Sequence, residues 1–274
     1  MRLRSASALA RVPLLSQMGP SLVLVDDPRH AAKLVVDEID ELCRQQRGRN
    51  RPLVLGLATG RTPVAVYDEL VRRVEAGKLD LEGAIAFNLD EYCGLSAGDP
   101  RSFAAWMRVQ LFDRLGWPAS RVHIPAGDIA PSERERHCAD YEAAIRAAGG
   151  IDLQLLGLGR NGHIGFNEPG SPCESRTRPV RLATETLADA AADFGGGAVP
   201  QFALTMGIGT ILEARRVRLL AFGERKRPAL RRALTPPADA QLPASFLLQH
   251  PDARFFVDAA AIGPDRAGLS PQSA

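Results

Sequence analysis

The sequence predicts an α/β fold, with a mainly parallel sheet and helices on both of its faces. Short apolar runs, typical of strands buried on both faces, alternate along the chain with segments whose apolar residues recur at helical spacing. A chain of 274 residues with 45% hydrophobic content is also long enough to bury a full core. Because no repeat or convincing linker interrupts residues 21–260, we predict a single domain over that range.

The individual elements follow from local patterns, taken here in chain order. Apolar runs bounded by turn residues predict strands at Ser21–Val25, Pro52–Ala58, Ala84–Leu89, Arg121–Ile124, Ile151–Leu158, Arg178–Leu182 (alternating weakly), Val217–Phe222 and Arg254–Val257. Apolar residues at helical spacing, some after a proline or an acidic first turn, predict helices at Pro28–Gln46, Val64–Val74, Phe103–Leu115, Ser132–Ala148, Glu185–Phe194, around Thr210, Lys226–Leu234 and Ala244–His250. This alternation implies βαβ units.

The two ends of the chain differ in composition from the middle. Residues 1–20 hold three arginines and no acid but lack the apolar stretch of a secretory signal, so we predict a loose N-terminal extension, with an organellar transit peptide as the alternative. Residues 261–274 are rich in Gly, Pro and Ser and predict a loose C-terminal tail.

Composition argues against several classes of protein. The formal net charge of +2 gives no sign of bulk nucleic-acid binding, and no apolar run approaches the length of a membrane span. The four cysteines make no Cys-x-x-Cys pair, which favours buried, reduced thiols: Cys43, Cys93, Cys138 and Cys173. We therefore expect a cytoplasmic protein without nucleic-acid or membrane partners.

The segment Asp152–Pro169 joins an apolar strand to a loop that carries Asn161, His163 and Glu168. Open α/β sheets bind their ligands where such strands end, so we interpret this loop as part of an active site. A carboxylate at Glu168 would fix the tautomer of the His163 ring. No third ligand is spaced nearby, so we predict no metal.

Three glycines in this segment, Gly157, Gly159 and Gly162, are expected to allow tight turns and close approaches. They also match the Gly-x-Gly-x-x-Gly pattern of dinucleotide-binding proteins. We reject that interpretation, because Gly165 and Pro169 intervene where the phosphate-binding helix would have to begin.

Two further strand ends carry polar residues. Thr59-Gly60-Arg61-Thr62-Pro63 lies between a strand and a helix, where free N–H groups favour an anion such as phosphate. An ordinary turn capped by Thr62 explains that motif equally well. Asp90 ends the third strand and is either a general base for a carbon acid or a cap or loop ion pair. Because adjacent residues of an extended chain point oppositely, Glu91 should face away from it.

Five segments together resemble the glucosamine-6-phosphate deaminase family: Asn88–Tyr92, Gly162–Pro169, Ser175–Arg178, Pro200–Thr210 and Gly223–Lys226. The resemblance extends in consistent order over residues 21–258. It implies a three-layer, Rossmann-like α/β fold, which that family shares with 6-phosphogluconolactonase and ribose-5-phosphate isomerase.

The resemblance also implies a reaction: the cofactor-free conversion of glucosamine 6-phosphate into fructose 6-phosphate and ammonia in amino-sugar catabolism, by an enzyme of the hydrolase class. Asp90 would move a proton between C2 and C1, and His163, held by Glu168 and helped by Asn161, would open the sugar ring. The phosphate would be held by Thr59, Gly60, Arg61, Thr62 and Lys226. The expected partner is this small molecule, and a homo-oligomer is one assembly that the resemblance allows.

Departures from the family pattern lead to further expectations. Asn161 stands where many members have Asp, and Arg61 replaces a usual glycine. Ala192 stands where the family places a phosphate-gripping arginine, and we hypothesise that Arg61 supplies the missing cation. Val180 replaces a lysine of the family's allosteric site, so we expect no activation by N-acetylglucosamine 6-phosphate.

Two other functions compete with the deaminase. A lactonase of the same fold tends to have Asp-Glu-Arg and Ser-Leu-Phe-Pro where this chain has Asp90-Glu91-Tyr92 and Phe166-Asn167-Glu168-Pro169. Lactone hydrolysis needs no base for a carbon acid, so the presence of both Asp90 and Glu168 favours the deaminase. A sugar-phosphate-binding regulator without turnover is favoured only by Ala192.

Overall fold

The computed structural model describes residues 20–195 and 197–264. These residues form ten strands: β1 (Ser21–Leu24), β2 (Val54–Leu57), β3 (Ile85–Asn88), β4 (Asp90–Tyr92), β5 (Val122–His123), β6 (Leu153–Gly157), β7 (Arg178–Arg181), β8 (Phe202–Thr205), β9 (Val217–Ala221) and β10 (Ala253–Val257). Seven of them make a parallel sheet in the order β1-β10-β9-β6-β2-β3-β5, and β4, β8 and β7 make a small antiparallel sheet.

The α-helices of the described residues are α1 (Pro28–Gly48), α2 (Val64–Glu75), α3 (Phe103–Met107), α4 (Arg134–Ala147), α5 (Thr184–Ala190), α6 (Ile208–Leu212), α7 (Arg227–Ala233) and α8 (Ala259–Ile262). The seven-stranded sheet has a hydrophobic core on each face. The neighbours Leu219 and Leu220 of β9 point to opposite faces. Helices α4, α6, α7 and α8 pack over the Leu219 core, whereas α1, α2 and α3 pack over the Leu220 core. The predicted α/β class, with helices on both faces of a mainly parallel sheet, is confirmed.

All eight predicted strands are present, but two strands of the small sheet were not predicted. β4 has only three residues and follows β3 after the single residue Leu89, so the pattern showed one strand with a polar end. β8 is also short, at four residues. The helix predicted at Phe103–Leu115 starts as α3 and continues as a π-helical turn, Arg108–Phe112.

Two other differences concern the C-terminal part of the chain. The helix predicted at Ala244–His250 is a 3₁₀ segment, Pro243–Gln249, and the short helix α8 was not predicted. Residues 1–19 and 265–274, which contain most of the two predicted loose ends, lie outside the described residues. The prediction of one domain over residues 21–260 stays a prediction. Within the part of the chain that is described, no helix is both long and apolar enough to cross a membrane.

A buried ion pair ties α1 to the sheet, far along the strands from their carboxyl ends. Arg218 in β9 is fully buried, and its Nε donates to Glu38 Oε2 of α1 at 2.6 Å. A second nitrogen of Arg218 lies 2.9 Å from Asp252 Oδ1. Burial raises the pKa of Glu38, but the hydrogen bonds of Arg218 and Arg216, with the charges of Arg218 and Arg254, outweigh that effect and lower it. The pair therefore stays ionised inside the protein.

We expect Glu38→Ala to lower the free energy of unfolding by about 3–5 kcal/mol, because it leaves the buried Arg218 guanidinium without its main partner. Denaturant unfolding followed by circular dichroism measures this loss. Glu41→Ala on the exposed side of the same helix is the matched control and should cost much less. Equal losses in the two variants would contradict this account.

Candidate active site

A cavity of about 260 Å³ opens at the carboxyl ends of the adjacent strands β2, β6 and β9. Parallel strands end on the same edge of a sheet, so residues far apart in sequence meet there. Six of the nine predicted site residues line the cavity: Thr59, Gly60, Thr62, Asp90, His163 and Lys226. Asn161 and Glu168 lie behind His163 and contact it or each other. Arg61 does not line the cavity but contacts Asp193, which does.

Asp90 is a buried carboxylate with an unpaired oxygen. It is 4% exposed, and no described residue hydrogen-bonds its Oδ1. Burial, with a smaller contribution from the charge of Glu91, raises the pKa of Asp90 to about 8. An unpaired buried carboxylate is costly for the fold and is typical of a functional site.

Glu91 faces away from Asp90, as predicted. Its carboxylate accepts three backbone N–H groups, from Tyr92 at 2.8 Å, Phe103 at 3.0 Å and Ala104 at 2.8 Å. The last two belong to the first turn of α3, so Glu91 anchors that helix to β4. Burial raises the pKa of Glu91, and these hydrogen bonds only partly offset the effect.

His163 lies against the backbone of Gly159, and its Nδ1 faces Glu168 and Thr186. A Cβ at Gly159 would come within 2.4 Å of the imidazole ring, so only glycine leaves room for it. Nδ1 lies 3.5 Å from Glu168 Oε2 and 3.4 Å from Thr186 Oγ1. Both contacts are longer than the roughly 2.9 Å of a strong hydrogen bond. They nevertheless leave Nε2 as the ring nitrogen without a described partner.

Glu168 is the centre of a small hydrogen-bond network. Its Oε2 accepts from Asn161 Nδ2 at 2.9 Å, and its Oε1 accepts from the Ala183 N–H at 3.2 Å. Asn161 Oδ1 in turn accepts the N–H of His163 at 3.1 Å. Burial raises the pKa of Glu168, but His163, Thr186 and Asn161 outweigh it and lower the pKa to about 2. The carboxylate is therefore charged at neutral pH and orients the imidazole.

The turn after β2 contributes Thr59, Gly60 and Thr62 to the cavity wall. Gly60 has a φ of +98°, a conformation that favours glycine. Thr62 does not cap α2, because Pro63 occupies the N-cap position and no side chain bonds there. Lys226 Nζ donates to the Leu158 carbonyl at 2.7 Å, and burial lowers its pKa. A half-buried lysine next to free backbone N–H groups suits an anion.

Arg61 and Gly157 differ from expectation, whereas Gly159 and Gly162 agree with it. The Arg61 side chain is 88% exposed and does not line the cavity, although it lies 3.5 Å from Asp193, which does. Gly162 has a φ of +88° and is crowded by Leu242, so it and Gly159 meet the predicted need for glycine. At Gly157 φ is not positive and a Cβ would meet no atom, so no turn or close approach requires glycine there.

The structure also brings residues into the cavity wall that sequence reasoning missed. Thr186, Asp189 and Asp193 come from α5 and the 3₁₀ turn after it, and Arg160 precedes Asn161 in the central loop. Three aromatic residues complete the wall: Tyr92, Phe103 and Phe166. Arg160 stood in the predicted loop and was a visible candidate. Nothing local marked Thr186, because its position depends on α5 lying across the sheet edge.

The remaining candidate residues have structural surroundings. His123 stacks on Phe87 with ring centroids 4.4 Å apart, and His137 and His250 bond to backbone groups. Of the cysteines, which are all free, three are buried and Cys173 is partly exposed. Among the described residues, no group of three or more His, Cys, Asp or Glu side chains is placed to hold a metal ion.

Sequence comparison places these residues in a known context. A family model described as glucosamine-6-phosphate isomerases/6-phosphogluconolactonase matches residues 26–256. A protein of Rhodopirellula baltica named glucosamine-6-phosphate deaminase is 49% identical over 239 residues, which cover 87% of this chain and 93% of that protein. A protein of Shewanella loihica with the same name is 46% identical over 85% of this chain and 83% of its own length.

Solved structures agree with this placement. A monomeric glucosamine-6-phosphate deaminase superposes with a TM-score of 0.83 at 36% identity, covering 91% of this chain and 100% of that one. The 6-phosphogluconolactonase of Trypanosoma cruzi superposes with a TM-score of 0.73 at 21% identity, covering 93% and 98%, and shows a shared fold alone. The family description speaks of isomerases, so it does not support the predicted hydrolase class. The chain belongs to the family of glucosamine-6-phosphate isomerases and 6-phosphogluconolactonases.

Proposed function

We propose that this protein is a glucosamine-6-phosphate deaminase, converting glucosamine 6-phosphate and water into fructose 6-phosphate and ammonia. One observation carries the proposal: the unpaired, buried carboxylate of Asp90 and the oriented imidazole of His163 line one cavity with a lysine. Deamination of an amino-sugar phosphate needs three groups: a base that removes the C2 proton, a group that opens the sugar ring and a site that binds the phosphate. The relatives named glucosamine-6-phosphate deaminase support this choice.

Ring opening is the first step, because the C2 proton becomes acidic only beside an open-chain aldehyde. His163 Nε2 takes the proton of the C1 hydroxyl and returns a proton to the ring oxygen as the C1–O bond breaks. Glu168, charged and held by Asn161, stabilises the imidazolium formed between these transfers. Thr186 supports the same ring nitrogen from α5.

Asp90 then takes the C2 proton and returns it to C1, while one proton of the protonated C2 amine passes to the C1 oxygen. The resulting C2 imine adds water and releases ammonia, so the atoms balance without a redox cofactor. The pKa of Asp90 is raised because its charged form is buried beside the negative charge of Glu91, and no cation of the described residues offsets that effect. The protonated amine on C2 of the substrate supplies one, which lowers the pKa of Asp90 when the sugar binds. The carboxylate thus becomes a base only in the complex that needs it.

The phosphate lies at the other end of the cavity in this proposal. The backbone at Thr59, Gly60 and Thr62 and the ammonium of Lys226 hold it. The reaction combines an aldose-ketose proton transfer with hydrolysis of a carbon-nitrogen bond, so it has both an isomerase and a hydrolase component. All the proposed groups come from one chain, and the chemistry therefore does not need the homo-oligomer that the sequence allowed.

We place this activity in the cytoplasmic breakdown of amino sugars, because the four cysteines are free, as is usual in a reducing compartment. The lactonase alternative is less favoured, since hydrolysis of a lactone does not remove a proton from carbon and therefore gives Asp90 no task as a carbon-acid base. The regulator alternative leaves the Glu168–Asn161–His163 network without a purpose.

The principal test is release of ammonia from glucosamine 6-phosphate. We expect Asp90→Asn to lower kcat by about 10²- to 10⁴-fold, the range of a general base. Asp140→Asn, on the exposed surface of α4, is the matched control and should keep full activity. Hydrolysis of 6-phosphogluconolactone without ammonia release would support the lactonase instead, and sugar-phosphate binding without either activity would support the regulator.

The same variant tests the pKa of Asp90 through stability. The native pKa of about 8 lies above the ordinary value of 3.8, so the wild type loses stability as pH rises between these values. Asn does not ionise, so Asp90→Asn should gain stability relative to the wild type, by on the order of a few kcal/mol between pH 5 and pH 9. Denaturant unfolding at both pH values measures the gain. A difference that does not change with pH would refute the raised pKa.

Glu168→Gln tests the orientation of His163. The amide keeps the size of the carboxylate but not the charge that stabilises an imidazolium, so we expect kcat to fall about 10²-fold or more with little change in KM. Steady-state kinetics with Glu75→Gln, at the exposed end of α2, as the control separates this effect from a general loss of charge. A change in KM alone would contradict the assigned role.

A further inference from the structure

We infer that Arg160 is the second cation for the substrate's phosphate, the role that the sequence assigned to Arg61. The inference rests on the proposed function, because it assigns a residue to the anionic end of the same cavity. Of the lysines and arginines among the described residues, Arg160 and Lys226 line this cavity. Arg61 does not, and its side chain is 88% exposed.

The guanidinium of Arg160 is already arranged as a two-bond anion receptor. Its Nε donates to Asp189 Oδ2 at 2.9 Å, and its NH2 donates to Asp189 Oδ1. A phosphate presents the same pair of oxygen acceptors to a planar guanidinium as a carboxylate does. Both side chains are about half exposed, at 47%, so an incoming anion has access to the pair. Asp189 therefore occupies the position that a phosphate would take.

Arg160 also lies at the phosphate end of the cavity, near Lys226. Lys226 Nζ bonds the Leu158 carbonyl, two residues before Arg160 in the chain. Burial lowers the pKa of Lys226, and the charges of Asp189 and Arg160 act on it in opposite directions. The three charged groups thus form one cluster in the cavity wall. When a phosphate dianion binds, it takes the Arg160 donors and Asp189 gives them up.

Replacement of Asp189 by phosphate on Arg160 explains how this chain can bind a phosphate although Ala192 stands where the resemblance implies an arginine. Ala192 is exposed and does not line the cavity, whereas Asp189, three residues before it, does. The cation comes from the central loop and the α5 segment supplies its carboxylate partner. Arg160 is thereby a binding residue for phosphate, and Asp189 is its internal competitor.

The test measures the binding of inorganic phosphate and of fructose 6-phosphate by titration calorimetry. We expect Arg160→Ala to weaken both by about 10- to 100-fold, the value of a lost charged hydrogen-bond pair. Asp189→Asn should tighten both, because it removes the competitor and a repelling charge. Arg225→Ala, exposed and outside the cavity lining, is the matched control and should bind as the wild type does. Thermal unfolding of each variant confirms that it is folded.

The outcomes separate this inference from the proposed function. Loss of phosphate binding in Arg61→Ala but not in Arg160→Ala overturns the inference, as does weaker binding in Asp189→Asn. Arg160-dependent phosphate binding by a wild type that releases no ammonia upholds the inference and refutes the deaminase. If the wild type releases ammonia and Arg160→Ala leaves KM unchanged, the deaminase is supported and the inference about Arg160 is refuted. In an active enzyme, Arg160→Ala should raise KM for glucosamine 6-phosphate and leave kcat within about twofold.

Discussion

The proposed chemistry depends on one constraint: a carboxylate is held in the protein interior without a partner. Asp90 is kept there because the chain passes from β3 of the parallel sheet to β4 of the small sheet within one residue. Pairing of β4 with β8 fixes the backbone from Asp90 to Tyr92, with Asp90 opposite Thr205. The fold carries the cost of this buried group, and a cationic amine on the substrate would relieve it.

The small antiparallel sheet and an aromatic cluster beside it position α5, which forms part of the cavity wall. Tyr92 packs against Phe103, Phe166 and Phe194, with ring centroids between 4.7 and 5.3 Å apart. These rings come from β4, α3, the central loop and the turn after α5, so one cluster joins all four. Since Thr186 and Asp189 lie on α5, the same packing determines which polar groups face the imidazole and the anion site.

Polar networks behind the cavity keep the central loop in one conformation. Asn161 bonds both the His163 backbone and the Glu168 side chain, so it acts as a brace and not as a second carboxylate partner of the ring. Arg178 donates to Asn167 Oδ1 and to Ser171 Oγ, which supports the end of the loop from the small sheet. The side chains of the loop are therefore positioned before any sugar arrives, as efficient catalysis requires.

The sequence by itself determined the strand-helix alternation, the parallel sheet and the loops that carry Asp90, His163 and Lys226. Those features rest on apolar periodicity and on glycine and proline positions, which are local properties of the chain. Only the tertiary structure decided that Arg61 points to solvent, that Arg160 pairs with Asp189 in the cavity wall and that Thr186 reaches the imidazole. These contacts join residues from 23 to 132 positions apart, and no local pattern specifies which loops will meet. The three-residue strand β4 escaped prediction for the same reason, because its partner β8 lies more than a hundred residues further along the chain.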